Sequence, residues 1–149
     1  MCTTKSLTLA VVLFFIFTTA HGQSPEYRVG NLLIEDPWSR ALPPVSKNGA
    51  AFMNIHNRGG TADRLVSASS DIAEMVEIHS HEHVNGMMQM RKIDGVDLPA
   101  GGSATFQAGG LHIMFLGLRE SLDDGKTFPM TLNFEHGGSL DIMVMVRKN

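Results

Sequence analysis

From Pro25 onward, apolar positions come in short runs that alternate with polar ones, and no stretch keeps the 3.6-residue spacing of a long helix. The runs are Tyr27 to Ile34, Ala50 to Asn57, Asp63 to Ser67, Glu74 to Ser80, Met87 to Ile93, Leu111 to Leu118, Phe128 to Glu135 and Ser139 to Val146. Turn-forming residues separate them: Pro43-Pro44, Gly59-Gly60, Asn85-Gly86, Asp94-Gly95, Pro99 with Gly101-Gly102, Gly109-Gly110, Asp124-Gly125 and Gly137-Gly138. The last run shows the two-residue period most plainly, with Leu140, Ile142, Val144 and Val146 on one face and Asp141, Met143, Met145 and Arg147 on the other. One apolar face per strand needs a facing sheet, so the pattern predicts a single all-β domain, a sandwich or a barrel.

The N-terminus departs from this pattern. Lys5 precedes the run Leu7 to Phe17, apolar apart from Thr8, and the small residues Thr18, Thr19 and Ala20 follow it. That is the layout of a secretory leader, and the run falls short of the about 20 apolar residues that span a bilayer. Residues 1–22 therefore read as a signal peptide, cut after Ala20 or Gly22, and residues 23–149 as an exported domain that does not insert in a membrane. A cut after Ala20 would leave His21 as an N-terminal chelating residue.

Charge and composition then narrow the chemistry. The 149-residue chain carries 12 Lys+Arg against 15 Asp+Glu, a net charge of −3, and loss of the leader removes Lys5 but no acid. With no basic run, the chain offers nucleic acid no positive stripe to bind. Cys2 is the only cysteine and lies ahead of the apolar run, so it is not placed to carry a lipid and leaves with the leader. A mature chain without cysteine has no thiolate nucleophile, no Cys-based zinc site and no blue-copper centre. What the chain has in quantity is soft and borderline donors, 10 Met and 7 His in the full sequence.

These donors concentrate in two segments. In Val76-Glu77-Ile78-His79-Ser80-His81-Glu82-His83, strand alternation points Val76 and Ile78 one way and Glu77, His79 and His81 the other. Asn85-Gly86 then reverses the chain into Met87-Met88-Gln89-Met90-Arg91, where a methionine comes within cross-strand reach of His79. In Gly109-Gly110-Leu111-His112-Ile113-Met114-Phe115, His112 and Met114 share a face opposite Leu111, Ile113 and Phe115. Gly109-Gly110 precedes no helix and has no phosphate-loop pattern; it serves to set His112 at a strand start or loop edge.

The four donors His79, Met90, His112 and Met114 fall in the order H-x10-M-x21-H-x-M. With this spacing the chain resembles the periplasmic copper chaperones called PCuAC. Further blocks carry the likeness: Pro37-Trp38-Ser39-Arg40-Ala41, Asn48-Gly49-Ala50-Ala51-Phe52-Met53, Val76-Glu77-Ile78-His79, Gly86-Met87-Met88, Leu98-Pro99 and Gly109 to Met114. The resemblance implies a cupredoxin-like Greek-key β-sandwich in the periplasm. It also implies that Cu(I), held by two His and two Met, passes to an acceptor such as the dinuclear copper centre of cytochrome c oxidase or an assembly factor. The donor chemistry agrees: neutral imidazole and soft thioether suit Cu(I), whereas Mg²⁺, Ca²⁺ and Mn²⁺ want oxygen.

Other residues have plainer readings. Met53, Met75 and Met130 read as core fillers and Met88 as a shield of the site, with Met88 also a substitute ligand by its shared face with Met90. His81 and His83 are auxiliary ligands for a second ion, Cu(II), or solvated side chains near a turn. His56 and His136 read as surface groups, Trp38 and Phe115 as packing, and Asp123-Asp124-Gly125-Lys126 as a turn, since it lacks the other ligands of a calcium loop. No Ser has an evident base partner, so the chain is expected not to be an enzyme, and it is expected to act as a monomer. Two rivals stand beside the chaperone: a periplasmic Cu(II) or Zn²⁺ buffer using His79, His81 and His83, and a redox carrier, which the missing thiolate disfavours.

Overall fold

The computed structural model describes residues 24–148; the expected leader, its cleavage site and the boundary at residue 22 lie outside them. The described residues form strands β1 (Glu26–Val29), β2 (Leu32–Arg40), β3 (Asn48–Asn57), β4 (Asp63–Ser69), β5 (Ala73–Val84), β6 (Met87–Lys92), β7 (Val96–Leu98), β8 (Ser103–Phe106), β9 (His112–Leu118), β10 (Thr127–Phe134) and β11 (Gly138–Arg147). The order is β6-β5-β9-β3-β2-β11-β10-β4-β7, with β1 paired to β2 and β8 to β3. Neighbours are antiparallel except β2 and β11, which run parallel and join the first half of the chain to the last. The sheet curls on itself around a core that includes Ile34, Ile55, Leu65, Phe115, Leu132 and Val144.

The expected all-β domain is present, and β11 alternates as its sequence predicts, with Ile142, Val144 and Val146 buried and Met143 and Met145 exposed. The expected single run Tyr27 to Ile34 is instead a hairpin. Gly30, at φ +55°, and Asn31 turn the chain so that Val29 faces Leu32, and beyond the turn Leu32, Leu33 and Ile34 are all buried. The sequence reading also omits β7 and β8, which at 3 and 4 residues are too short to show a period. Met53 and Met130 are core residues as expected, but Met75 is not: it stands on the exposed face of β5.

The Pro37-Trp38-Ser39-Arg40 block is structural. The β2–β3 register shifts between Glu35 and Trp38, where Asp36 takes φ +49° and Pro37, with no N–H to offer, sits in the bulge. Arg147 at the end of β11 closes on this bulge: its guanidinium donates to both Asp36 oxygens at 3.0 and 2.8 Å and lies 4.4 Å from the Trp38 ring centroid. Trp38 in turn packs on Phe52 with ring centroids 4.9 Å apart.

A carboxylate at the opposite end ties β4 to the β10–β11 turn. Asp63 accepts hydrogen bonds from the backbone N–H groups of Arg64, His136 and Gly137. Burial works against its ionised form, but the N–H donors of His136, Arg64 and Gly137 outweigh it and hold Asp63 below the usual carboxylate range. A depressed carboxylate contributes stability above its unfolded pKa and loses it as pH falls through the folded value. Asp63→Asn is therefore expected to cost about 1–2 kcal/mol near neutral pH, with the gap to wild type closing toward about pH 3 in urea titrations. A gap independent of pH would show that the charge is not what ties this corner.

Candidate metal centre

The metal-ligand candidates stand on three adjacent strands, β6, β5 and β9, and the registers bring their faces together. Between β5 and β9, His79 lies opposite His112 and Glu77 opposite Met114; between β5 and β6, His81 lies opposite Met90 and His83 opposite Met88. The β5–β6 register is fixed by the expected Asn85-Gly86 turn, whose φ angles of +52° and +78° match a two-residue hairpin. On β9 the alternation buries Ile113 and Phe115 in the core and turns His112 and Met114 to the face shared with the histidines.

His112 is the centre of the arrangement. It is one of three buried polar side chains among the described residues, with 4% of its surface exposed. The other two have ordinary partners: Ser39 donates to the Ala50 carbonyl, and Asn57 donates to the Thr61 and Leu98 carbonyls and accepts from the Gly59 N–H. His112 Nδ1 lies 3.0 Å from the Gly110 carbonyl oxygen, which can only accept, so Nδ1 carries the proton. Burial holds the His112 pKa below the ordinary histidine value, against the Gly110 hydrogen bond, with His81 and His79 adding to the downward push. A neutral ring protonated at Nδ1 has a bare Nε2, and that atom faces the Met90 sulfur at 3.1 Å. Two lone-pair donors thus converge with no hydrogen to share, the environment a soft cation satisfies.

His79 supplies a further donor from the opposite strand, with its ring centroid 5.7 Å from that of His112. Its Nε2 lies 2.7 Å from Glu77 Oε2, so Nε2–H donates to the carboxylate, and its Nδ1 is buried without a partner among the protein atoms. Glu77 also accepts from Lys92 Nζ at 2.9 Å, and these two hydrogen bonds, from His79 and then Lys92, hold its carboxyl below the usual range. A carboxylate that fixes the tautomer and orientation of a ligating imidazole is a common partner of metal-bound histidine. Met114 occupies the next row, between Glu77 on β5 and Ala50 on β3, and lines a recess of about 250 Å³ with Leu42, Phe52 and Ala108.

The structure refines several expectations. A methionine of β6 is expected within cross-strand reach of His79; Lys92 stands opposite His79, while Met90 lies opposite His81 and its sulfur reaches His112. His81 is part of the cluster rather than a bystander: its ring centroid is 5.3 Å from that of His112, and its Nδ1 lies 3.3 Å from the same Gly110 oxygen. Met88 does not shield His112 but stands exposed opposite His83 near the hairpin tip. No three His, Cys, Asp or Glu side chains among the described residues gather to hold a metal, so His79, His81 and His83 do not form a three-histidine site. Sequence reasoning missed Glu77 and Lys92 as supports of His79, although the i, i+2 spacing of Glu77 and His79 places both on one strand face. It also missed the Gly110 carbonyl, presented by a turn in which Gly109 takes φ +78°.

Residues 32–146 match the family described as "Putative lipoprotein LpqE-like". The chain belongs to the LpqE-like family. A curated relative of this LpqE-like chain, "Putative lipoprotein Lxx21020" of Leifsonia xyli subsp. xyli (strain CTCB07), is 28% identical over 96% of the chain and 89% of the relative. Among solved structures it resembles the "Copper-bound PCuAC domain from PmoF2", with 27% identity and a TM-score of 0.71 over 84% of the chain and 99% of that domain. It also resembles CuI-DR1885 of Deinococcus radiodurans in its solution structure, with 29% identity and a TM-score of 0.65 over 87% of the chain and 84% of that protein. The LpqE-like chain therefore has the expected cupredoxin-like β-sandwich as a single domain.

Proposed function

We propose that this protein is an exported Cu(I) metallochaperone that holds one copper ion through His79 Nδ1, Met90, His112 Nε2 and Met114. The observation that carries the reading is the approach of the bare Nε2 of the buried His112 to the sulfur of the half-exposed Met90 at 3.1 Å. The similar structures whose titles name copper or CuI support the choice of metal. The Lys5-led apolar segment and the lipoprotein names of the relatives support export, with the periplasm as the compartment.

The donor set also suits a carrier. Four neutral ligands leave the positive charge of Cu(I) uncompensated, and a thioether or imidazole can be exchanged for an acceptor's ligand without gaining or losing a proton. No ligand is a cysteine, so an oxidising compartment cannot lock the site in a disulfide. The acceptor is a copper protein such as the dinuclear centre of cytochrome c oxidase or a factor that assembles it. Copper is cargo in this reading and the protein is not an enzyme. A Cu(II) or Zn²⁺ buffer built on His79, His81 and His83 is the weaker reading, because those three side chains do not converge.

An anaerobic competition titration against a chromogenic Cu(I) chelator, run beside Cu(II) and Zn²⁺, tests the proposal. Tight one-to-one Cu(I) binding is expected in wild type and its loss in Met90→Leu/Met114→Leu, since leucine fills the space of methionine without its sulfur. Preference for Zn²⁺ or Cu(II), untouched by the double substitution, would sink the reading. In the same assay Glu77→Ala is expected to weaken Cu(I) binding about 10–100-fold by freeing the His79 ring. Affinity equal to wild type would show that His79 needs no such support.

A further inference from the structure

The β5–β6 hairpin repeats a chemical unit. His81 faces Met90, and two residues further toward the turn His83 faces Met88. Directly opposed residues of an antiparallel pair project to the same side with Cβ atoms about 5 Å apart, and positions two apart along a strand share a face. Two His–Met pairs thus stand in line on the face that carries His79. The inner pair touches the metal centre, through the Met90 sulfur on His112 and the His81 ring beside it. The outer pair stands apart from the four ligands proposed above, and its Met88 is 51% exposed, close to the 47% of Met90.

From this placement we infer that the hairpin is a copper relay: a second, weaker Cu(I) position at His83 and Met88, linked through His81 and Met90 to the centre at His112. The inference rests on the chaperone reading and extends it to the route by which copper enters and leaves. An ion at the centre exchanges His79 and Met114 for His81 while keeping His112 and Met90. It then exchanges His112 for His83 and Met88 while keeping His81 and Met90, and departs from the exposed pair to a ligand of the acceptor. Neutral donors replace neutral donors at both steps, four ligands giving way to three and then to four again, while copper stays Cu(I) and no proton or electron moves. The hairpin tip, rather than the recess beside Met114, is then where the acceptor must reach.

The molecule supplies its own control. Met75, Met143 and Met145 are 52%, 41% and 44% exposed, close to Met88, yet none faces a histidine: their partners are Leu116, Pro129, and Thr127 with Trp38. Binding that follows exposure alone would treat all four alike.

The test uses protein with 13C-labelled methionine methyls, titrated with Ag(I) as a soft, redox-inert stand-in for Cu(I). The first equivalent is expected to move the Met90 and Met114 methyl signals, and the second to move Met88 and the His83 ring while Met75, Met143 and Met145 stay in place. In His83→Ala/Met88→Leu the second set of shifts is expected to vanish and the first to remain, and transfer of bound Cu(I) to bicinchoninate is expected to slow. A second equivalent that moves Met75, Met143 and Met145 together with Met88 would overturn the relay, as would unchanged transfer by the double variant. A first equivalent that leaves Met90 and Met114 unmoved would instead overturn the chaperone reading beneath it.

Discussion

His112→Ala is expected to weaken Cu(I) binding by well over the ~100-fold that marks the upper end of outer-sphere losses, more than any other single replacement in the site. The reason is geometric. His112 is where the donors meet: its Nε2 faces Met90, its ring neighbours those of both His79 and His81, and Met114 lies two residues along the same strand face. Alanine removes the nitrogen and leaves Met90 without the partner that its sulfur touches. His81 does not restore the inner position, because it stands on β5 opposite Met90, whereas His112 comes from β9 and stands opposite His79. Competition titration reads the affinity, and circular dichroism checks that the variant is folded. A folded His112→Ala protein with wild-type affinity would move the metal away from the β5–β9 seam altogether.

Which parts of this were legible in the sequence follows from how far each signal reaches along the chain. Alternation within one strand is local, so the faces of β9 and β11 could be assigned from His112-Ile113-Met114-Phe115 and from Leu140 to Arg147 alone. The Asn85-Gly86 turn is equally local, and it places β6 beside β5. Register is not local. Whether Met90 meets His79 or His81 depends on where the two-residue turn begins, and Val84 facing Met87 decides it for His81. The pairing of β5 with β9 joins segments that are separated in sequence by β6, β7 and β8, and nothing in either strand announces it. Spacing that matches a known pattern carries that long-range information indirectly, which is why four candidate ligands could be named while their contacts could not. Met75 shows the converse: in a half-buried strand an apolar residue on the solvent face looks like a core residue unless the period is counted from a fixed neighbour such as Ile78.

Phe115→Ala is expected to be the most damaging core replacement for the site, costing about 3–5 kcal/mol of stability, and to be rescued by copper. Phe115 is fully buried on β9 between His112 and the end of the strand, packed edge-on against Phe128 with ring centroids 5.4 Å apart. Its removal opens a cavity directly behind the strand that carries His112 and Met114, at the point where β9 bridges β3 and β5. The proposed ligands come from β5, β6 and β9, so only the folded chain presents them together, and an ion that binds the folded state alone adds stability by mass action. Free Cu(I) at 1,000 times its dissociation constant contributes about 4.1 kcal/mol, which is of the size of the Phe115→Ala loss. Anaerobic thermal unfolding should therefore show the variant melting well below wild type without copper and returning toward it with copper. Adding His112→Ala should abolish that return. If copper raises the melting temperature of the Phe115→Ala protein no more than that of the Phe115→Ala/His112→Ala protein, the fold does not assemble a metal site around His112.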